Sequence, residues 1–346
     1  MLYIAYNFVF TVDAGTVLAE NNKIMKKKDL IMITLAAASG FTALGYPFFR
    51  LLFDGKKSGN SSRYKWMSLK HTKINHPRNG YEKEYEAGKA WCMAQPMEDR
   101  YIVSRDGLCL HAYYLRCKDP KRILLLSHGY RGSGFGDFAN TAKFLRENNC
   151  DLLFIDQRCC GKSGGRYITF GAKEQFDILD WTSLIDAENK DHLPVYLYGE
   201  SMGAASVLMA SGHSLPPCVK GLICDCAFSS LKQELRDIAR EWFHLHFIEL
   251  LLLRVDLFCR ILAHFKMSDA DTAKALSLNR LPVLFFHGKE DTFVHADNSI
   301  RNHAVCRAEK ELVLMENARH LCSAYTDEGL YRKKILAFFE KNERIF

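Results

Sequence analysis

Gly199-Glu200-Ser201-Met202-Gly203 follows the apolar run Val195 to Tyr198 and opens a stretch rich in Ala and Met. A G-x-S-x-G pentapeptide between a strand and a helix holds its serine at a strained turn, with the hydroxyl exposed and small neighbours that let the two backbones approach. The chemistry this serves is acyl transfer on a serine nucleophile. A serine hydroxyl needs a general base, and the base needs an acid to orient it. At such an elbow the partners follow in the order nucleophile, acid, base.

The run Pro282 to Phe286 ends in His287-Gly288-Lys289-Glu290-Asp291, which places Asp291 in the loop after a late strand as the acid. Glu290 beside it and Asp225 after an earlier strand are the competing carboxylates. Leu312 to Met315 is followed by Glu316-Asn317-Ala318-Arg319-His320, so His320 is the candidate base, the alternative being an ordinary surface histidine. Acyl transfer also needs donors for the developing oxyanion, usually two backbone N–H groups. Met202, next after the nucleophile, supplies one. The loop His128-Gly129-Tyr130-Arg131-Gly132 supplies the other through Tyr130 N–H, unless that loop is a plain Gly-rich turn.

These residues need a scaffold that brings distant loops together. Residues 80–95 read as a helix, and two short strands follow, joined at Asp106-Gly107, a hairpin signal. Beyond them apolar runs at Arg122 to Ser127, Cys150 to Asp156, Val195 to Tyr198, Leu222 to Asp225, Pro282 to Phe286 and Leu312 to Met315 alternate with helical patterns near 135–148, 173–186 and 202–210. Strand alternating with helix predicts a mainly parallel sheet covered on both faces, with ligands bound beyond the carboxyl ends of the strands. Each candidate lies just after such a run. Gly161-Lys162-Ser163 has Asp156 where a phosphate loop needs its first glycine, and Gly132-Ser133-Gly134-Phe135-Gly136 lacks the dinucleotide spacing, so neither site is expected.

Together, Ser127-His128-Gly129, Asp156 through Ser163, Gly171 through Trp181, the Ser201 elbow, His287 through Asp291 and His320 resemble the α/β-hydrolase superfamily. Within it the chain resembles the bacterial esterase and serine-aminopeptidase-like (S33) group, with a short lid and often an N-terminal apolar segment. The resemblance spans Tyr81 to Phe346. It implies an α/β fold with a mainly parallel eight-stranded sheet flanked by helices, a triad of Ser201, Asp291 and His320, and no cofactor. Cys159-Cys160 departs from the small residues common there, without touching the triad.

Between Asp225 and Pro282 an insertion, about 231–278, is large enough to cap the site. Its segment Phe247 to Phe265 carries Glu249, Arg254, Asp256 and Arg260, too many charges for a membrane span. Its apolar residues exceed what one core-facing stripe requires. An acyl-binding or membrane-touching lid competes here with a helix packed on both sides.

Leu30 to Phe49 is twenty residues without a charge, enough for a helix to cross about 30 Å of hydrocarbon. The segment 30–53 is therefore read as a membrane anchor. Residues 1–29 form a tail, 54–80 a basic juxtamembrane linker, and 81–346 the catalytic domain. A cleaved signal peptide starting at Met25 is the competing reading. The formal charge of +7 resides in residues 1–97, with 14 Lys/Arg against 7 Asp/Glu, since residues 98–346 hold 33 of each. Lys56, Lys57, Arg63, Lys65, Lys70, Lys73 and Arg78 follow the apolar stretch without an acidic residue among them, as suits anionic lipid headgroups. No nucleic-acid motif accompanies that charge. The lysines before the segment and the larger number after it point to opposite sides of a membrane. The balance leans to an extracytoplasmic catalytic domain, although twelve cysteines weigh against a strongly oxidising compartment. The cysteines lack zinc or redox spacing, so no metal is expected.

The expected activity is hydrolysis of a carboxylic ester, by a carboxylesterase or lipid deacylase, through an acyl-enzyme on Ser201. An aminopeptidase-like peptidase using the same triad is the alternative, with Glu200 or Asp225 as anchor for a substrate amine. A non-catalytic, membrane-anchored binding module is the alternative from another class, because a fold does not guarantee activity.

Overall fold

The computed structural model describes residues 45–55, 78, 80–245 and 248–343. Helix α1 (Gly45–Phe53) comes first, then α2 (Glu82–Met93) and the hairpin β1 (Glu98–Val103) and β2 (Cys109–Leu115). Strand β3 (Arg122–Ser127) leads to the short helices α3 (Gly134–Asp137) and α4 (Ala142–Glu147), where one helix was expected. Next come β4 (Cys150–Asp156), α5 (Glu174–Glu188), β5 (Val195–Glu200), α6 (Met202–Ala210) and β6 (Val219–Asp225). The insertion holds α7 (Leu231–Phe243), α8 (Glu249–Phe258) continued by one π-turn (Cys259–Ala263), and α9 (Ala273–Leu278). The chain closes with β7 (Val283–Gly288), α10 (Asp297–Val305), β8 (Lys310–Met315), α11 (Ser323–Thr326) and α12 (Glu328–Glu343).

The eight strands form one sheet in the order β1-β2-β4-β3-β5-β6-β7-β8. Strand β2 is antiparallel to both β1 and β4, and the remaining pairs are parallel. The apolar runs have no polar face because both faces of the sheet are covered. Leu125, Leu153, Leu197, Leu222 and Phe285 pack against Trp181 of α5 and Val207 of α6. Their neighbours Leu124, Leu126, Phe154, Tyr198 and Phe286 point the other way, onto Phe138, Leu145, Tyr331 and Phe339. A third cluster joins α1 and the insertion to the top of the sheet through Phe49, Phe53, Met202, Leu231, Leu252 and Val255.

Helix α1 changes the reading of the N-terminus. Phe49 and Phe53 are completely buried, and the Phe53 ring meets Phe170 and Phe265. Gly45 lies so close to α8 that an added Cβ would sit 2.6 Å from Arg254 Cβ. Residues 45–53 of the expected anchor 30–53 are thus part of the folded domain, because the insertion offers them an apolar surface. Residues 30–44 lie outside the described residues, as does most of the linker 54–80. Among the described residues no helix is long and apolar enough to cross a membrane.

The insertion helix α8 is packed on one side. Leu252, Val255 and Cys259 are buried, whereas Leu250, Leu253, Leu257 and Ile261 lie on the opposite face and are exposed. The reading of a helix packed on both sides gives way to an apolar face open to its surroundings.

Candidate active site

The β5–α6 turn places Ser201 at φ 53° and ψ −119°, a left-handed conformation that few non-glycine residues adopt. Its N–H donates to Asp225 O at 2.9 Å, and Ala205 N–H donates back to Ser201 O at 3.0 Å, so strand and helix both hold the strained residue. His320, from the loop after β8, places Nε2 3.0 Å from Ser201 Oγ. Its Nδ1 lies 2.6 Å from Asp291 Oδ2. The three residues read from sequence as nucleophile, acid and base thus form one hydrogen-bonded chain, and all are buried.

The second Asp291 oxygen accepts from Phe293 N–H and Val294 N–H, each at 2.9 Å. Desolvation works to raise the Asp291 pKa, but the charge of His320 and the hydrogen bonds of His287 and His320 outweigh it and hold the carboxyl well below its usual range. The acid therefore stays ionised and fixes the His320 ring. The competing carboxylates are elsewhere: Glu290 is exposed, and Asp225 accepts from the hydroxyls of Ser323 at 2.8 Å and Tyr331 at 3.1 Å. His287, at the end of β7, anchors the Asp291 loop by bonding Val294 O and Ser299 Oγ, each at 2.7 Å.

The loop after β3 passes close to Ser201. A Cβ built on Gly129 would lie 3.2 Å from Ser201 Cβ, so a larger residue there would crowd the serine side chain. Tyr130 follows it, and Met202 opens α6, whose first-turn N–H groups have no acceptor within the helix. His128 Nε2 accepts from Gln157 N–H at 3.1 Å, tying this loop to the end of β4.

Three features escape a sequence reading. Cys226, at the end of β6, brings its thiol to within 4.8 Å of the Asp291 and His320 ligand atoms, and burial raises its pKa well above the usual thiol range. Asp137 accepts from Gly129 N–H at 2.7 Å and from Arg78 Nη2 at 3.0 Å, although Arg78 belongs to the expected linker. Glu234 of α7 is only 6% exposed, and neither carboxyl oxygen has a hydrogen-bond partner among the described residues. No local pattern marks any of them, because each gains its meaning from another part of the chain.

Burial, and then the charges of Asp291, Asp237 and Glu241, hold the Glu234 carboxyl well above its usual range. An acid with a folded pKa above its unfolded value of about 4.3 keeps its proton in the folded state, so it lowers stability as pH rises above that value. Glu234→Gln is therefore expected to leave stability unchanged near pH 4 and to raise it relative to wild type at pH 8, because only the carboxyl carries the proton-linked penalty. Thermal melts at both pH values check this, and a pH-independent offset would refute it.

The sheet order, the elbow and the assembled Ser-His-Asp chain define an α/β-hydrolase fold. The family described as Serine aminopeptidase, S33 matches residues 118–258, which carry the elbow and much of the insertion. The uncharacterised protein YqkD of Bacillus subtilis is 25% identical over 239 residues, 69% of this chain and 78% of that protein. YfhR of Escherichia coli K12 is 21% identical over 249 residues, covering 68% and 78%. Among solved structures, an esterase of Pyrococcus furiosus superposes with a TM-score of 0.60 at 16% identity, over 72% of this chain and 93% of that one. Est1E of Butyrivibrio proteoclasticus, with ferulic acid bound, gives 0.52 at 20% identity, over 71% and 99%. At these identities the likeness establishes the fold.

Proposed function

We propose that the protein is a serine hydrolase that cleaves carboxylic esters through an acyl-enzyme on Ser201. The observation that carries this reading is the unbroken chain from Ser201 Oγ through His320 to the ionised Asp291. Ser201 Oγ attacks the ester carbonyl carbon as His320 Nε2 takes its proton. The carbonyl oxygen becomes an oxyanion held by Met202 N–H and Tyr130 N–H. Collapse expels the alcohol, protonated by His320. Water, deprotonated by the same nitrogen, then hydrolyses the acyl-enzyme. These steps use only the side chains, two backbone amides and water.

The exposed leucine face of α8 favours substrates presented by lipid. We place the uncharged segment 30–44 and the residues Leu250, Leu253, Leu257 and Ile261 against a bilayer, with the basic residues 56–73 at its headgroups, and the catalytic domain on the extracytoplasmic side. Changing the four apolar residues to Ser is expected to weaken co-flotation with anionic vesicles at least fivefold. It should also lower turnover of an octanoate ester more than that of an acetate ester. Equal loss on both esters with unchanged flotation would refute this placement, and protease accessibility on intact cells reads the side.

A second reading, an aminopeptidase-like activity, is favoured by one observation. Asp225 is occupied by two hydroxyls and Glu200 is buried beside the Arg78 and Asp137 charges, so neither expected anchor is open. Glu234 is a buried carboxyl near Asp291 with no hydrogen-bond partner among the described residues, and an entering substrate ammonium would favour its ionised form. On that reading Glu234→Gln lowers turnover of aminoacyl amides at least tenfold and spares acetate esters.

A further inference from the structure

We infer that Arg78 and helix α1, both N-terminal to the expected catalytic domain, are the support that holds the oxyanion loop Gly129–Gly132 over Ser201. This inference rests on the hydrolase reading for its catalytic consequence. Its structural content stands on the contacts alone.

The loop needs such a support. It passes so close to Ser201 that a Cβ on Gly129 would lie 3.2 Å from Ser201 Cβ, and Arg131 within it adopts φ 54°, a conformation costly for any non-glycine residue. An oxyanion donor works only when its N–H is already aimed at where the charge develops. Something must therefore fix the backbone of Gly129 and Tyr130 before substrate arrives.

Two fixings come from the N-terminal chain. On one side Gly129 N–H donates to Asp137 Oδ2 at 2.7 Å, and Arg78 Nη2 donates to Asp137 Oδ1 at 3.0 Å. Arg78 and Asp137 are 5% and 7% exposed, so this is a buried charge pair whose orientation is set by packing. Removing the arginine would leave a buried carboxylate under the loop. On the other side the last turn of α1 presents carbonyls that have no acceptor role inside the helix. Tyr130 Oη donates to Leu52 O at 2.7 Å, and Arg131 Nη2 donates to Leu51 O at 2.8 Å and Asp54 O at 3.3 Å. The cationic guanidinium also suits the negative end of the helix dipole. The Tyr130 ring stacks on Phe170 with centroids 4.7 Å apart.

Helix α1 is itself immobilised. Ile168 N–H donates to Phe53 O at 2.8 Å and Gly55 N–H to Arg166 O at 2.7 Å, while Phe49 and Phe53 are completely buried. The same helix packs on α8 through Gly45, and its Tyr46 ring lies 5.4 Å from Phe258. Displacement of the N-terminal segment from the cap would therefore reach Tyr130 N–H through one turn of helix. Neither Arg78 nor any residue of α1 lies in the stretch 118–258 that matches the family, whereas the loop they support does. They make Tyr130, Arg131, Asp137 and Arg78 positioning residues for the oxyanion.

The test is the full-length double variant Tyr130→Phe, Arg131→Ala, which removes the side-chain bonds to α1 and keeps the Tyr130 N–H. Amide exchange of residues 128–134 is expected to accelerate at least tenfold. On a short-chain nitrophenyl ester kcat is expected to fall about tenfold, less than the 10²–10³ of losing a donor outright, with KM within twofold. Arg78→Lys, which keeps the charge and loses the planar fork, should accelerate exchange in the same residues. Unchanged exchange in both variants would overturn the inference. A parallel rise in KM and fall in thermal stability, without selective loss of kcat, would also overturn it by showing a general structural role. Failure of the hydrolase reading looks different: wild-type protein neither turns over ester nor reacts with a fluorophosphonate, while exchange in 128–134 still accelerates in the variants and upholds the support.

Discussion

Ser201→Ala is expected to abolish labelling by a fluorophosphonate and to lower ester turnover by at least about 10⁴-fold, because a triad member acts only within its unit. The protein should still fold. Alanine fits the space of Ser201, and the bonds that pin this turn, Ser201 N–H to Asp225 O and Ala205 N–H to Ser201 O, are made by backbone. His320→Ala is expected to cost a similar factor, and combining it with Ser201→Ala should add almost nothing, since either loss disables the same proton transfer. Single-turnover kinetics with a chromogenic ester read both effects. Labelling that survives in Ser201→Ala would move the nucleophile elsewhere, and wild-type protein that folds without reacting would remove the enzyme reading.

Gly203→Ala is expected to be the most damaging small substitution to stability. A Cβ at this position would lie 1.9 Å from Ser127 O and 2.5 Å from Ser127 C, both backbone atoms of the adjacent strand. The clash cannot be relieved by rotating a side chain. Helix α6 must move away from β3, and it carries Met202 N–H with it. Overpacking of this kind costs about 3 kcal/mol, which for a domain of this size lowers the melting temperature by roughly 5 °C. Gly107→Ala is the comparison: its Cβ would meet nothing within 4 Å, and only its φ of +84° opposes the change. Its expected cost is about 1 kcal/mol, the strain of a left-handed non-glycine residue. Calorimetry of the two variants checks the ordering, and equal losses would show that the α6–β3 contact is less rigid than the packing implies.

Much of the site is legible in the sequence because its parts are local signals repeated at strand ends. The apolar runs mark strands buried on both faces, so the residues after them fall at one edge of the sheet. Ser201, Asp291 and His320 all do so, and their order along the chain does the rest. The carboxylate was open between Asp291, Glu290 and Asp225. Only the fold separates them, by turning Glu290 outward and giving Asp225 to Ser323 and Tyr331.

What the sequence by itself determined is the alternation of buried strands and helices, the strained elbow and the serine and histidine at the strand ends, because these follow from side-chain periodicity and turn chemistry within a few residues. What only the tertiary structure decided is which surfaces the remaining apolar and charged residues meet. An uncharged run reads the same whether lipid or protein will cover it, and residues 45–53 find their cover on α8. A basic run reads as solvated or lipid-facing, yet Arg78 within it is drawn inward by Asp137, a residue 59 positions away. A glutamate on a helix reads as exposed, yet Glu234 is buried with no hydrogen-bond partner among the described residues. In each case the surroundings that decide the outcome are distant in the chain, and the free energy that selects them comes from long-range packing.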